Sequence, residues 1–437
     1  MKFKKLLIGA TAVAGAALLM AGCSSKSNST TNSSDSGSKK VTIRFSWWGD
    51  DARNAATKKM VKAFEKKNPN ITVKPEIIPI ASLDQKIGTQ MSGGTEPDVM
   101  QGLYAWLPQF SSKGDGYLNL SKYKDQIDLT QYSSKVLAQG KSNGVLNGIA
   151  HGANTMELCL NWTAFKKYGI TEVPKTWDDY VAAAKKMPSG VHPIVVPDPT
   201  FMVITYLQQL TGKAPYTASN KLNYSESQIK QGLKWYNDMV DKNVFVSRKD
   251  YLNAVGSHAL PVASTSKWIN GQWAGDYEWS GGLSANETAL KDKNAEIKIA
   301  PIPTIKGAKT TGAITKPTFI FVISKHTKHP KEAAKFLNYF LNSKEGNKIL
   351  GATRGVPNSK VAAQTLIDNG DVKGVTKDAY DYGKKVEAIA EVPNFENSDV
   401  MKAWQDQLES LQLGKSNVNT TAKAVYSGLK SALSKLQ

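Results

Sequence analysis

Cysteine is nearly absent: the chain has two in 437 residues, Cys23 and Cys159. At most one disulfide could form, and none if Cys23 carries a lipid, so stability then has to come from packing. Histidine is scarce as well. Of His151, His192, His258, His326 and His329, only the last two lie close together, and without further ligands they read as a polar helix start, so no metal site is expected. The phosphate-cradling loop is missing too: GKS occurs at Gly140 and Gly414, but Lys135 and Glu409 stand where a P-loop has its first glycine. No G-x-S-x-G is present, and no catalytic residue or cofactor is assigned. Acidic residues are outnumbered, 37 against 56 Lys and Arg. The lysines alternate with acids along helical segments, which is a solvated surface and not a nucleic-acid stripe.

Long apolar runs are confined to the N-terminus. Lys2, Lys4 and Lys5 precede LLIGATAVAGAALLMAG, the pattern of a secretory signal over residues 1–22. At 17 residues the run is marginal for spanning a bilayer. It ends in LMAGC, which resembles a bacterial lipobox, so Cys23 is the expected lipid attachment point. SSKSNSTTNSSDSGSKK then has eight serines and no aromatic in 17 residues. Such a segment cannot bury a core; as a flexible tether over 23–40 it reaches about 20–25 Å. Together these features predict an extracytoplasmic protein held on the outer face of the cell membrane.

The rest, 41% hydrophobic and 21% charged over the whole chain, is globular and too long for one core. VTIRFSWW alternates, placing Val41, Ile43, Phe45 and Trp47 on one face and Trp48 on the other. An amphipathic helix follows, with Ala56, Met60 and Phe64 in register, and stops at Asn68 and Pro69. ITVKPEIIPI reads as a strand, SLDQ as a capping box joining Ser82 and Gln85, and SGGTEPDVMQGL as a return to a strand. Strands alternating with helices imply a parallel sheet covered on both faces. Later, PKTWDDY offers a second capping box, Thr176 with Asp179, and HPKEAAKFLNYFLNS a helix with Ala333, Leu337, Phe340 and Leu341 inward.

FSWWGDD, FEKKNPNITV, SGGTEPDV, NGIAHG with LNWTAFKKYGI, VPKTWDDY, WINGQWAG, IAPIP, KHPKEAAKFLNYFL and RGVPNS occur in that order between about Val41 and Ser359. On these segments the chain resembles the extracellular solute-binding proteins of bacterial sugar ABC importers. The resemblance implies a two-lobe periplasmic-binding-protein-like α/β fold, each lobe a mostly parallel sheet flanked by helices, with a sugar in the cleft between them. It sets lobe one at 41–154 plus 301–356 and lobe two at 155–300 plus 357–437. It implies a monomer whose partners are a carbohydrate and the permease subunits of an ABC transporter. Gly275 departs from the family pattern, where a methionine is common.

A sugar ring needs flat aromatic surface and polar groups at its rim. FSWWGDDAR supplies both at the carboxyl end of the first strand, where open α/β sheets bind ligands. Trp48, Asp50, Asp51 and Arg53 are therefore candidates and Trp47 is core; alternatively both tryptophans are core and the acids merely cap a helix. Trp106 of LYAWLPQF is a further candidate, with Tyr104 in reserve. In KWINGQWAGDYEW, Trp279 is the preferred aromatic, Asp276 a polar neighbour and Trp268 a core residue. Asn154, Glu157 and Arg354 fall at the expected lobe crossings, where the alternative role is hydrogen bonding within the hinge. Carboxylates such as Asp50, Asp51, Asp276 and Glu278 also admit a secreted glycoside hydrolase or lyase. A binder of peptides, polyamines or iron is a third reading, without marked ligands.

Overall fold

The alternating segment at the start does form strand β1 (Val41–Trp47), with Ile43, Phe45 and Trp47 fully buried on one face. The computed structural model describes residues 40–256 and 260–436, all within one compact unit, Lys40–Gln437. The signal segment, Cys23, the serine-rich stretch up to residue 39, and His258 lie outside the described residues.

β1 pairs in parallel with β2 (Ile71–Ile77), Val41 opposite Ile71 through Trp47 opposite Ile77, and with β3 (Val99–Gly102). After a small ribbon of β4 (Lys141–Ser142) and β5 (Val145–Leu146) come β6 (Gly148–Ala150) and β7 (Ala153–Asn161). The remaining strands are β8 (Gly275–Trp279), β9 (Ile297–Ala300), β10 (Ile314–Pro317), β11 (Ile320–Ile323) and β12 (Ile389–Ala390). The first sheet has the order β2-β1-β3-β11-β6, and the second β12-β10-β7-β8 with β9 also beside β7.

The fold is thus two α/β lobes, but the sheets are mixed and not mostly parallel. β11 runs antiparallel to both β3 and β6. In the second sheet β10, β8 and β9 all run antiparallel to β7, and only β10 with β12 is parallel among its named strands. The reason is the crossing itself: a chain that passes straight from one sheet into the other and later returns beside its outgoing path must run against it. The outgoing crossing lies between Ala150 and Ala153 and the return between Pro317 and Ile320. β10 consequently hydrogen-bonds in the second sheet, although the expected boundary at 301 put it in lobe one.

Each sheet is covered on both faces. Phe45 and Trp47 stack at 5.0 Å and pack with Met60 and Phe64 of the helix Asp51–Lys67 and with Phe336 and Phe340 of the helix Pro330–Asn342. The opposite face holds Trp48, Ile87, Met100, Trp106 and Ile320. At the end of the helix Asp51–Lys67, the Asn68 amide donates to the Phe64 carbonyl at 2.9 Å, which caps it just before Pro69. The Thr176–Asp179 capping box forms. The Ser82–Gln85 box does not, because a 3₁₀ turn, Ile80–Ser82, precedes the helix and the Ser82 hydroxyl turns back to the Pro79 carbonyl, 3.2 Å away. Gly275 also has its reason: a Cβ there would stand 2.5 Å from the Pro193 carbonyl oxygen, so no side chain fits.

Candidate ligand-binding cleft

The turn after β1 builds one wall. Asp50 accepts from the Arg53 backbone N–H at 2.8 Å and caps the helix Asp51–Lys67, with exposed Asp51 in its first turn, where the helix dipole favours acids. Gly49 leaves the space into which Arg53 folds back; a Cβ there would lie 2.4 Å from the Arg53 Cδ. The Arg53 guanidinium donates to the Thr353 carbonyl at 3.0 Å and lies 5.2 Å from the Phe319 ring centre. Trp48 meets the same Phe319 edge to face at 5.4 Å and is 8% exposed. It is therefore nearly buried, contrary to the open aromatic expected, and presents only a margin of its ring.

Beneath this turn sits Arg354, 4% exposed. It donates to Gln101 Oε1 at 2.8 Å and Thr57 Oγ1 at 2.9 Å, while its Nη1 has no hydrogen-bond partner. Burial and the neighbouring Arg53 bring its pKa down to about 9, against the pull of Asp50. His151 is buried alongside, held neutral with a pKa of about 3 by burial and by the repulsion of Arg354 and Arg53. Arg354 thus supports the turn from within.

A second group of candidates lies on the second sheet. Cross-strand neighbours share a face, so the register Met156 opposite Trp279 and Asn154 opposite Lys316 puts Trp279, Asn154 and Lys316 on one side. The Lys316 ammonium lies 4.1 Å from the Trp279 ring centre and pairs with Glu396. Trp279 is half-buried and meets Phe201 edge to face at 5.2 Å. Asn154 accepts from the Ser280 hydroxyl at 2.9 Å and the Gly281 N–H at 2.8 Å. Glu391 is buried here, and burial and Glu396 raise its pKa well above the usual carboxylate range. Tyr104 lies after β3, and burial, then the charge of Glu391, push its hydroxyl up to about 12.

On the first sheet's side Trp48, Asp50 and Arg53 gather with Phe319, and on the second sheet Asn154 and Trp279 share a face with Lys316. The signal for Lys316 and Phe319 was present in TKPTF, a cation and an aromatic ring at the break between two strands, but it gains meaning only once that break is known to be a lobe crossing. Three candidates lie elsewhere. Trp106 is fully buried, its indole N–H donating to Asp84 at 2.8 Å, so it has no ring face to offer. Asp276 and Glu157 project from the opposite face of the second sheet, in register with Cys159 and Glu278 respectively. Asp276 accepts from Asn286 at 2.8 Å, and burial pushes its pKa up to about 8. Glu157 is fully buried, and burial raises it to about 9. Trp47 and Trp268 are core, as expected. Among the described residues no cluster of three or more His, Cys, Asp or Glu could hold a metal ion.

Residues 48–347 match the family of bacterial extracellular solute-binding proteins. The chain belongs to that family. Among its relatives, this solute-binding protein is 28% identical over 362 residues to the multiple sugar-binding protein of Streptococcus mutans, covering 78% of each chain. It is 23% identical over 357 residues to the arabinooligosaccharide-binding protein of Bacillus subtilis, covering 77% of this chain and 76% of the other. Among solved structures, it is similar to a periplasmic oligogalacturonide-binding protein from Yersinia enterocolitica: 33% identity, 91% of this chain and 100% of that chain covered, TM-score 0.81. The same Yersinia protein in complex with saturated digalacturonic acid gives 0.76. The family is one of extracellular solute-binding proteins, and these relatives are named for binding sugars or oligosaccharides. Among the described residues no helix is long and apolar enough to cross a membrane.

Proposed function

We propose that this protein is a lipid-anchored receptor that captures an acidic oligosaccharide, one containing uronic acid units, between its lobes and delivers it to an ABC transporter permease. The observation that carries this reading is the pairing of aromatic and cationic groups on both walls: Trp48 and Phe319 with Arg53 on one, Trp279 with Lys316 on the other. Aromatic surface suits the C–H face of a pyranose, and the cations suit its carboxylate. The Yersinia relative's digalacturonic acid supports the choice of an acidic sugar. The lobes joined by the two crossings support closure by a hinge, and the N-terminal sequence supports acylation of Cys23 and an outer-face location.

The hydrolase reading loses its footing, since Asp50 and Asp51 serve the start of one helix while Asp276 projects from the other face of the second sheet from Trp279 and is bound to Asn286. A glycosidase needs its two carboxyls across one bond, about 5–10 Å apart. Calorimetric titration with digalacturonate at low and high salt tests the proposal. Binding that weakens with salt and exceeds that of a neutral disaccharide supports it, because salt screens an exposed charge contact. Salt-independent binding of neutral oligosaccharides alone would overturn the acidic choice.

A further inference from the structure

A cavity of about 460 Å³ lies on the other face of the crossing strands from Trp279 and Asn154. Its floor is Ala153, Thr155 and Glu157 of β7, with Thr315 of β10. Successive strand residues alternate in direction, so these three β7 residues point away from the side that Asn154 faces. One wall is lobe-one chain around the helix Ser134–Gln139, with Gln131, Ser133 and Lys135. The others are Ala363, Gln364 and Ile367 of the helix Lys360–Asp368, and Tyr380, Gly383 and Lys384 of the helix Gly374–Lys385. The volume is within the range of ordinary small-molecule sites, roughly 300–1,000 Å³.

Two features mark the space as built for a ligand. Glu157 lines it while fully buried, and neither carboxyl oxygen has a hydrogen-bond partner. Such a group is costly to bury unless something else completes its bonding. Gly383 packs over it: a Cβ there would come 3.2 Å from Thr155 Oγ1 and 3.7 Å from Glu157 Oε1. The second feature is charge. Lys135, Lys360 and Lys384 ring the opening with exposed side chains, and Glu157 is the one acid in the lining. Burial raises the pKa of that acid to about 9, so at neutral pH it is uncharged and does not repel an anion. Ser133, Thr155, Ser280, Thr315, Gln131 and Gln364 add polar side chains to the lining, several of them already hydrogen-bonded within the protein.

We propose that this cavity is a second binding site, for a hydroxylated anion of monosaccharide size such as a sugar acid or sugar phosphate, separate from the cleft at Trp48 and Trp279. The proposal does not depend on which sugar the cleft takes.

Equilibrium titration of the purified protein with galacturonate and with glucose 6-phosphate tests it, with galactose and glucose as uncharged controls. One or both anions should bind at millimolar concentration and the neutral sugars should not. Ala363→Phe, which fills the cavity from the helix, should abolish binding, and Lys135→Ala with Lys384→Ala should weaken it about tenfold. Trp279→Ala should leave it unchanged, although it impairs the cleft. Because the two lysines are exposed, their variant is expected to fold even if Ala363→Phe does not, and circular dichroism checks both. Failure of both anions to bind, equal binding of the neutral sugars, or loss in Trp279→Ala with retention in the lysine variant would each overturn the proposal.

Discussion

Three tryptophan-to-alanine variants separate binding from packing. Trp279 is half-buried, with Lys316 over its ring at 4.1 Å and Phe201 at its edge. Its removal should forfeit a stacking contact worth on the order of 2 kcal/mol of ligand affinity, about thirtyfold. The folded state loses the cation–π contact, about 0.5–1 kcal/mol, and the edge contact with Phe201, about 0.5–1.5 kcal/mol, still well short of a core truncation. Trp47 is the opposite case: fully buried, stacked on Phe45 at 5.0 Å, its indole N–H donating to Asn54 at 2.9 Å. Truncation should cost about 3–5 kcal/mol as a core deletion, plus about 1 kcal/mol for the Asn54 acceptor left without its donor. Affinity per folded molecule should change little. Trp48, 8% exposed against Phe319, should lose on both counts, with about 3 kcal/mol of stability and a binding loss like that of Trp279. Denaturant melts give the first quantity and calorimetric titration with digalacturonate the second. The reasoning fails if Trp279→Ala binds as tightly as wild type, or if Trp47→Ala melts like it.

Labelling cells with a fatty-acid analogue should mark the wild-type chain and leave Cys23→Ala unlabelled; equal labelling removes the lipid anchor. Small-angle scattering should show a smaller radius of gyration with digalacturonate bound, as expected for lobe closure, and an unchanged radius would argue for a rigid site. Glu157 supplies a pH test. Its folded pKa of about 9 exceeds the unfolded value near 4.3, so the folded chain holds a proton that the unfolded chain releases, and stability falls as pH rises between those values. Glu157→Gln should therefore raise the melting temperature at about pH 8 more than at about pH 4, and an equal change at both would refute the buried neutral acid.

What the sequence determined by itself is local and periodic. The alternation of Val41 to Trp47 placed Trp47 inside and Trp48 across the sheet, because strand side chains change face at every residue. Asp50 as a helix cap, the Thr176–Asp179 box and the inward stripe of the helix Pro330–Asn342 follow from residues three or four apart. What only the tertiary structure decided depends on partners far along the chain. β11 enters between β3 and β6 from some 170 residues beyond β6, counted from Ala150 to Ile320, and by running antiparallel to both it makes the first sheet mixed. Strand periodicity says which residues share a face but not which face meets the cleft, so Glu157 and Asp276, plausible by position, came out behind the second sheet and Lys316 came out in front. Trp106 likewise stands close after a strand's carboxyl end, yet it is fully buried, because the strand's position does not fix how deeply the following helix sinks its first ring.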